Sequence, residues 1–344
     1  MTRRPPHSTP PGGGVRHRTR EVREAEERER LSPAATCAAD TRGRDRAEPD
    51  DEHRTAFERD RDRILHSKAF RRLKHKTQVF LNPEGDHFVT RLTHTLAVAQ
   101  VGRAIAATLA LNEPLTEAIC LGHDIGHAPF GHTGEDALTP YVEGEWQHAI
   151  HGVRVVEVLE PLNLTVETRD GISQSSWKND PPPMTAEGWV CRYADRIAYL
   201  AHDVEDAVRA GVITPADVPA RFRDAFGPPG PAWIDTMVHQ VVADSLAAGH
   251  VTMDPDAFAT MDQLRDWMFE NVYLRDEARA HATRAVRVIR DLVEWFAARP
   301  DAIADAYRLP GSTDLQAAVD YVAGMSDRHA LRLHDERFRP AGLY

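Results

Sequence analysis

Apolar residues recur at helical spacing along most of the chain from residue 54 onward. The segment "RTAFERDRDRILHSKAFRRLKHKTQVF" carries them at Phe57, Ile64, Leu65, Phe70 and Leu73. The polar, glycine-containing stretch "NPEGDH" then interrupts the pattern. We therefore predict helical structure up to that stretch and a break within it.

The next two segments predict helices that end in an unusual motif. "TRLTHTLAVAQVGRAIAATLAL" predicts a long helix, with its core side at Leu92, Leu96, Ala99, Val101 and Ile105. "NEPLTEAICLGHD" predicts another helix that starts near Asn112 or Glu113, with Pro114 at an early position where its missing N–H is tolerated. The segment "HDIGHAPFGH" ends it, since glycine and proline disfavour helix.

Helical periodicity returns through the second half of the chain. The segments are "QHAIHGVRVVEVLEPL", "AEGWVCRYADRIAYLAHDVEDAVRAG", "AWIDTMVHQVVADSLAAG", "MDQLRDWMFENVYL" and "HATRAVRVIRDLVEWFAA". Only "LTVET" has the alternation typical of a strand, and no repeat of fixed period occurs. These patterns predict an all-α fold.

The first fifty residues differ in composition from the rest. "PPHSTPPGGG" is rich in proline and glycine, and "RHRTREVREAEERER" has almost no apolar residue to bury. We predict a disordered arm over 1–50, with room for a short solvated helix over 20–31. A helical core would then occupy 51–215, with a C-terminal helical region over 216–344 packed on it.

Composition limits the compartment and the partners. Hydrophobic residues make up 42% of the 344-residue chain and charged residues 28%, which is typical of a globular protein. The chain has neither an uninterrupted apolar stretch long enough for a membrane span nor the apolar segment of a secretory signal. Its three cysteines form no disulfide framework and no CxxC zinc site, so we expect a cytoplasmic protein. The net charge of −11 argues against a general polyanion-binding surface, but it allows a focused basic pocket.

Four side chains of metal-ligand type stand on separate elements. They are His94 in "RLTHTLAV", His123 and Asp124 in "LGHD", and Asp195 in "RYADRIAYLAHD". Imidazole and carboxylate suit one divalent ion such as Mn, Mg, Fe, Ni or Zn. Two histidines and two aspartates leave octahedral positions open for water or substrate oxygens.

Each of these residues also has a structural interpretation. His94 alone is more often a core histidine, and Asp195 alone a solvated acid or a partner of Arg192 or Arg196. The adjacent pair His123–Asp124 is harder to explain in that way, because burying both groups requires partners.

The H…HD…D pattern resembles that of the HD-domain metal-dependent phosphohydrolases. The motifs "RLTHTLAV", "LGHDIGHAPFGHTGEDAL", "QHAIHGVRVVEVLE" and "ADRIAYLAHDVEDAVRAG" together resemble the deoxyguanosinetriphosphate triphosphohydrolase family, as does "FRRLKHKTQVF" before "EGDHFVTRLTHT". The resemblance is strong from about 54 to 215 and looser beyond. It implies an HD-domain helical bundle with additional C-terminal helices, whose catalytic core is 51–215. The implied reaction hydrolyses a deoxynucleoside triphosphate to the deoxynucleoside and inorganic triphosphate.

The resemblance also implies roles for the histidines around the HD pair. His94, His123, Asp124 and Asp195 would hold the metal, and the catalytic group would be His127, His132, Glu135 and His148. The departing 5′-oxygen needs a proton, for which a histidine held by a carboxylate is a natural donor. By resemblance, His132 and Glu135 act as a coupled pair at the scissile phosphate. The alternative for His132 and His148 is hydrogen bonding around the loop.

Cations are needed opposite a triphosphate. Arg91 precedes His94 by one helical turn and so faces the same site, although a surface arginine at a helix start is the alternative. Arg196 matches a basic position of the family, but its adjacency to Asp195 turns it about 100° away along a helix. Lys74 and Lys76 are weaker candidates.

The sugar would meet a second set of side chains. Tyr199 and Asp203 follow Asp195 by four and eight residues, on one helical face. By resemblance, the tyrosine would pack against C2′ and the aspartate would accept from the 3′-hydroxyl, which favours deoxyribose. The alternative is a buried tyrosine with a partnered hydroxyl. Gln78 resembles a glutamine near the sugar or base.

Two other functions are weighed against this one. A nucleotide phosphomonoesterase or phosphodiesterase would not need the additional histidine cluster. A non-catalytic nucleotide sensor or nucleic-acid-binding module would not be expected to keep all four metal-type ligands.

The chain departs from the family pattern in two ways. Ala149 stands where the family often has Asn or Glu, and long insertions of some relatives are absent. The preferred base therefore stays open, and so does the question whether a nucleotide effector or a single-stranded nucleic acid binds this protein. Relatives form tetramers or hexamers, so a homo-oligomer is expected.

Overall fold

The computed structural model describes residues 14, 16–79 and 88–340. The predicted break "NPEGDH" lies outside the described residues. The described part contains fifteen α-helices, two isolated β-bridges and no strand. The helices are α1 Arg20–Arg30, α2 Ala56–His66, α3 Lys68–Arg72, α4 Arg91–Thr108, α5 Glu113–Gly122, α6 His132–Leu138, α7 His148–Arg154, α8 Val166–Ser173, α9 Ala186–Arg209, α10 Ala220–Phe226, α11 Pro231–Ala248, α12 Pro255–Met268, α13 Asp276–Ala297, α14 Asp314–Ala323 and α15 Asp327–Phe338. The all-α prediction is confirmed, and none of these helices has both the length and the apolar character to span a bilayer.

The helix starts follow the predicted capping residues. Asn112 caps α5 by accepting a hydrogen bond from the Leu115 N–H, and Pro114 lies in the first turn. In "LTVET", Thr165 caps α8, so this segment begins a helix and the suggestion of a strand is wrong. One predicted core position on α4 is also wrong. Leu96 is 47% exposed, because α4 carries apolar or small residues on more than one face.

The disorder predicted for the N-terminal arm is wrong for residues 16–50, which the structure describes as helix and packed loop. Arg23 of α1 forms an ion pair with the buried Glu58. The Thr36 N–H donates to the carboxylate of Glu187 at 3.0 Å. Some polar groups of this arm therefore have partners outside it, which the local sequence does not reveal.

Two apolar clusters organise the helices. The first cluster gathers buried residues of α2, α4, α5, α8 and α9 together with α10, α11 and α12. The second gathers α6, α13, α14 and α15. The boundary proposed between residues 215 and 216 does not separate them, since α10 to α12 pack with the earlier helices.

The glycine-rich segment after α5 passes from one cluster to the other. Ile125 belongs to the first cluster, whereas Ala128 and Phe130 belong to the second. The segment therefore lies at the junction of the two clusters, with α6 directly after it. The candidate site is built around this junction.

Candidate active site

The metal-type residues converge as a group, which we call the ligand group: His94, His123, Asp124 and Asp195. Ligand atoms of His94, His123 and Asp195 lie within 4.8 Å of one another. His94 Nε2 is 3.0 Å from Asp195 Oδ1, and His123 Nε2 is 3.6 Å from the same oxygen. Asp124 Oδ1 is 3.5 Å from His123 Nε2. Four donors from three elements thus surround one small volume.

Helix packing sets this arrangement. His94 lies in α4, Asp195 in α9, and the HD pair directly follows α5, and these three helices pack against one another. His123 Nδ1 is 2.6 Å from the Cys120 carbonyl oxygen, which fixes the ring with Nε2 toward the carboxylates. Asp195 keeps 26% of its side chain exposed, so the group has an open edge.

The donor set fits a divalent cation. His123 Nε2 is buried without a hydrogen-bond partner, although two carboxylates lie nearby. Burial lowers the pKa of His123, but the charges of Asp124 and Asp195 outweigh burial and raise it to about 10. The carboxylates of Asp124 and Asp195 therefore stabilise a positive charge beside them, which a divalent ion would supply.

The structural alternatives for Asp195 do not hold. Arg192 donates to two backbone carbonyls of the segment before α9. Arg196 forms an ion pair with Asp262 at 2.7 Å. Asp195 instead contacts His94 and His123, so its partners are the other members of the ligand group.

A second cluster, the histidine–glutamate cluster, surrounds the carboxylate of Glu135. Its Oε1 is 2.9 Å from His148 Nδ1 and 2.8 Å from His127 Nδ1, and its Oε2 is 3.1 Å from His132 Nδ1. The rings of His127 and His148 are stacked, with centroids 3.8 Å apart. One carboxylate thus contacts three imidazoles, and it is hydrogen-bonded to those of His132 and His148.

The two groups meet at a single contact. His127 Nε2 is 3.0 Å from Asp124 Oδ1, so His127 bridges the acid of the HD pair and Glu135. Arg91 donates to the other oxygen of Asp124 at 3.1 Å and is itself buried. The prediction that Arg91 faces the site of His94 agrees with this position.

The histidines of the cluster differ in their acid–base properties. Although burial raises the pKa of Glu135, the neighbouring imidazoles hold it well below its usual range. Burial lowers the pKa of His127 to about 4, so this ring is neutral at pH 7. Desolvation by the neighbouring groups lowers the pKa of His132, but the hydrogen bond with Glu135 outweighs it and the net change is upward. The His132 side chain is 72% exposed, which opens it to a ligand.

Two glycines explain the composition of the segment "HDIGHAPFGH". A Cβ atom at Gly126 would collide with the backbone of α7 at His148 and Gly152. Gly131 has φ +58°, and a Cβ atom there would come 2.6 Å from Arg91 Nη2. Glycine at these positions allows α7 and Arg91 to approach the loop closely, which brings both groups together.

Arg196 does not join either group among the described contacts. Its guanidinium pairs with Asp262 of α12 and is 4.7 Å from the ring centre of Trp177, which precedes α9. Its charge does act on Tyr199. The contacts of Arg196 thus lie with Asp262 and Trp177 and not with the metal ligands, as expected from its turn of about 100° from Asp195.

The sugar candidates Asp203 and Tyr199 lie in a buried polar region. Asp203 Oδ2 accepts a hydrogen bond from the Tyr273 hydroxyl at 2.7 Å, while Oδ1 is buried without a partner. Burial raises the pKa of Asp203 to about 8, and burial also raises that of Tyr199. Gln78 Oε1 is likewise buried and unpartnered in the described part of the chain. Buried polar atoms without a partner are uncommon in folded proteins, so these two oxygens are free to bind a ligand.

Sequence reasoning missed Tyr273 and undervalued Lys76. Tyr273 ends the π-helical turn after α12 and has no motif around it. Lys76 is fully enclosed, and its Nζ donates to the carbonyl oxygens of His127 and Ala323. Burial lowers the pKa of Lys76 to about 7. Lys76 therefore supports the loop, whereas Lys74 is exposed on the surface.

Comparison with known proteins gives consistent matches. Residues 91–200 match the family model of the HD domain, and residues 251–336 match that of the phosphohydrolase-associated domain. The chain is 46% identical to a deoxyguanosinetriphosphate triphosphohydrolase-like protein of Caldanaerobacter subterraneus, covering 94% of this chain and 97% of the relative. Proteins of the same description from Desulfatibacillum aliphaticivorans and Clostridium perfringens are 41% and 40% identical, over 94% and 91% of this chain and 99% and 96% of the relatives.

Proposed function

Since this chain belongs to the family of deoxyguanosinetriphosphate triphosphohydrolase-like proteins, it is a phosphohydrolase, and we propose that it hydrolyses deoxynucleoside triphosphates to deoxynucleoside and inorganic triphosphate. The contact between Asp124 and His127 carries the proposal. It joins a group suited to a divalent ion to a cluster suited to proton transfer, and a phosphoester cleavage with a poor leaving group needs both.

The ligand group would hold one divalent ion, of which Mn, Mg, Fe, Ni and Zn suit the donors. Bound there by His94, His123, Asp124 and Asp195, the ion would supply Lewis-acid polarisation of an α-phosphate oxygen. Arg91 adds a fixed positive charge beside Asp124. Its donor fork suits phosphate oxygens, because a guanidinium binds them in bidentate fashion.

In the proposed reaction, a water oxygen attacks the α-phosphorus and loses one proton to the surrounding solvent, and the bond to the 5′-oxygen breaks. The departing oxygen takes a proton, and His132 is the best placed donor. Its Nδ1 is occupied by Glu135, which leaves Nε2 to face the substrate. His127 fits this role less well, because its Nε2 contacts Asp124 and its pKa of about 4 leaves the ring neutral, and therefore a poor proton donor, at pH 7.

Asp203 and Tyr199 would select the sugar. With its raised pKa, Asp203 can be protonated near neutral pH, and its free Oδ1 can accept from a 3′-hydroxyl. Tyr199 lies four residues earlier on the same face of α9 and would crowd the 2′ position. A ribose hydroxyl would then meet the tyrosine ring, which favours the deoxy sugar.

Product analysis tests the proposal directly. The protein would be incubated with each deoxynucleoside triphosphate, singly and in mixtures, with Mn²⁺ or Mg²⁺, and the products resolved by ion chromatography. We expect equal amounts of deoxynucleoside and triphosphate. Release of orthophosphate or pyrophosphate instead would refute the proposal and indicate a phosphomonoesterase or phosphodiesterase. Turnover confined to mixtures would reveal a nucleotide effector.

A further inference from the structure

A buried carboxylate of the C-terminal region holds the loop that carries the catalytic histidines. Asp327 Oδ1 accepts a hydrogen bond from the Phe130 N–H at 2.9 Å. Its Oδ2 accepts from the Thr77 N–H at 2.9 Å and from the Thr77 hydroxyl at 2.7 Å. Asp327 is 1% exposed, so these bonds are shielded from water. One side chain thus joins α15, the loop at 127–132 and the segment before α4.

This carboxylate does not cap its own helix. Asp327 is the first residue of α15, and the capping role belongs to Ser326, whose hydroxyl accepts from the His329 N–H. The hydrogen bonds that Asp327 accepts come from Phe130 and Thr77, both outside α15. Its placement therefore serves contacts between segments that are far apart in the sequence.

The bonded loop position is one that needs support. Phe130 has φ +64° and Gly131 has φ +58°, both in the left-handed region. A phenylalanine rarely adopts this conformation, so it persists only where the surroundings hold it. The bond from the Phe130 N–H to Asp327 lies at this turn, two residues before His132.

Lys76 adds a second connection between the same segments. Its Nζ donates to the carbonyl oxygens of His127 in the loop and Ala323 at the end of α14. Its own carbonyl oxygen accepts from the Arg91 N–H at 3.1 Å, at the start of α4. The loop is therefore tied both to the C-terminal helices and to the helix that carries His94.

We propose that Asp327 is a positioning residue for the reaction, which makes the C-terminal helices α14 and α15 part of the catalytic unit. Asp327 holds the left-handed turn at Phe130 and Gly131, and that turn sets the distance of His127 and His132 from the ligand group. The ligand group stands on α4, α9 and the end of α5, so its metal binding does not depend on this bond. The proposal rests on the proposed function for its kinetic readout.

The test compares Asp327→Asn with Asp314→Asn. Asp314 is the first residue of α14 and also follows a capping hydroxyl, that of Thr313, but it is exposed. Both substitutions remove one negative charge from a helix start. In Asp327→Asn we expect kcat per metal-loaded site to fall about 100-fold, the scale of a misplaced catalytic group, with KM and metal content unchanged. Asp314→Asn should keep the kcat of the unsubstituted chain.

A second pair of variants isolates one of the bonds. Thr77→Val removes the hydroxyl donor to Asp327, while Thr77→Ser retains it. We expect a lower kcat in the valine variant and recovery in the serine variant. If Asp327→Asn does not fold, this pair still tests whether the hydrogen bonds of Asp327 are needed for catalysis.

Ring resonances of His127 and His132 in ¹H–¹⁵N spectra report the loop without any substrate. We expect them to shift in Asp327→Asn and Thr77→Val and to stay in place in Asp314→Asn. Unshifted resonances, or a kcat that falls only in proportion to folded or metal-loaded protein, would overturn the proposal. If the unsubstituted chain hydrolyses no deoxynucleoside triphosphate, the proposed function is wrong. The role of Asp327 in positioning the loop is then tested by the ¹H–¹⁵N spectra alone.

Discussion

The ligand group and the histidine–glutamate cluster differ in how the chain builds them. His94 and Asp195 stand within long helices, α4 and α9, which pack in the first apolar cluster. His132 and His148 are instead the first residues of α6 and α7, which have seven residues each. Helices this short are not stable alone. The ligand group is thus held by core packing, whereas the histidine–glutamate cluster depends on the loop at 127–132 and on the contacts that hold this loop.

The largest effect is expected where the two groups share a residue. Asp124→Ala removes a ligand, the partner of His127 and the acceptor of Arg91 in one change. We expect loss of bound metal and a fall in turnover of at least about 10,000-fold, because metal chemistry and proton transfer fail together. Metal content by mass spectrometry and product chromatography measure both.

Asp136→Ala is the control for that variant. Asp136 is exposed on α6 beside Glu135. The Asp136→Ala protein should therefore bind metal and hydrolyse substrate like the unsubstituted chain. Hydrolysis retained by Asp124→Ala would refute the assignment of the ligand group. Loss of turnover with full metal content would instead show that Asp124 acts only through His127 and Arg91.

Glu135→Gln separates the two groups. The amide keeps the shape of the side chain but removes the negative charge that three imidazoles contact. We expect kcat to fall about 1,000-fold, within the range for loss of general acid–base catalysis, while metal content stays unchanged. Asp136→Asn is the matched control on the adjacent residue. Metal loss in Glu135→Gln would show that the groups are not separable.

The pH dependence of kcat sharpens the assignment of the proton donor. Glu135 raises the pKa of His132 above its usual 6.5, so the ring keeps its proton up to that raised value. Acid catalysis is present below that pKa and is lost as the pH rises through it, by about tenfold per pH unit. In Glu135→Gln the descending limb should move to lower pH. An unmoved limb would exclude His132 as the titrating donor.

The residues of the ligand group could be identified from the sequence because they follow a recognisable pattern along the chain. His123 and Asp124 are adjacent, and His94 and Asp195 lie in segments with clear helical periodicity, so their helices could be predicted. The spacing of Arg91 and His94 placed both on one face for the same reason. Leu96 shows the limit of this reasoning. Periodicity finds apolar faces, but it does not say which face a neighbouring helix covers.

Features that depend on distant partners could not be predicted. The arm looked solvated because Glu58 and Glu187, which satisfy it, are far away in the sequence. Asp327 meets Thr77 across 250 residues, and Tyr273 meets Asp203 across 70. A lone aspartate or tyrosine has no local pattern that reports such a contact. Only packing of the C-terminal helices brings these side chains to the site.

Tyr273 provides the smallest of the expected effects and tests the sugar side of the site. Tyr273→Phe removes the hydrogen bond to Asp203 Oδ2 and leaves that buried oxygen without its partner. That bond lowers the pKa of Asp203, so its loss should keep the carboxyl protonated to higher pH. We expect kcat/KM for a deoxynucleoside triphosphate to fall about tenfold, the scale of one lost hydrogen bond. The preference over the ribonucleotide should narrow as well.

Tyr141→Phe is the matched control, since it removes a hydroxyl that donates to Glu294 on the surface, outside both groups. Neither tyrosine variant should change metal content, because neither hydroxyl touches the ligand group. An equal loss for deoxynucleotide and ribonucleotide would mean that Tyr273 supports the fold of α9 without reaching the sugar. A selective loss for the deoxynucleotide would show that the C-terminal region contributes to substrate choice, in addition to its proposed support of the loop at 127–132.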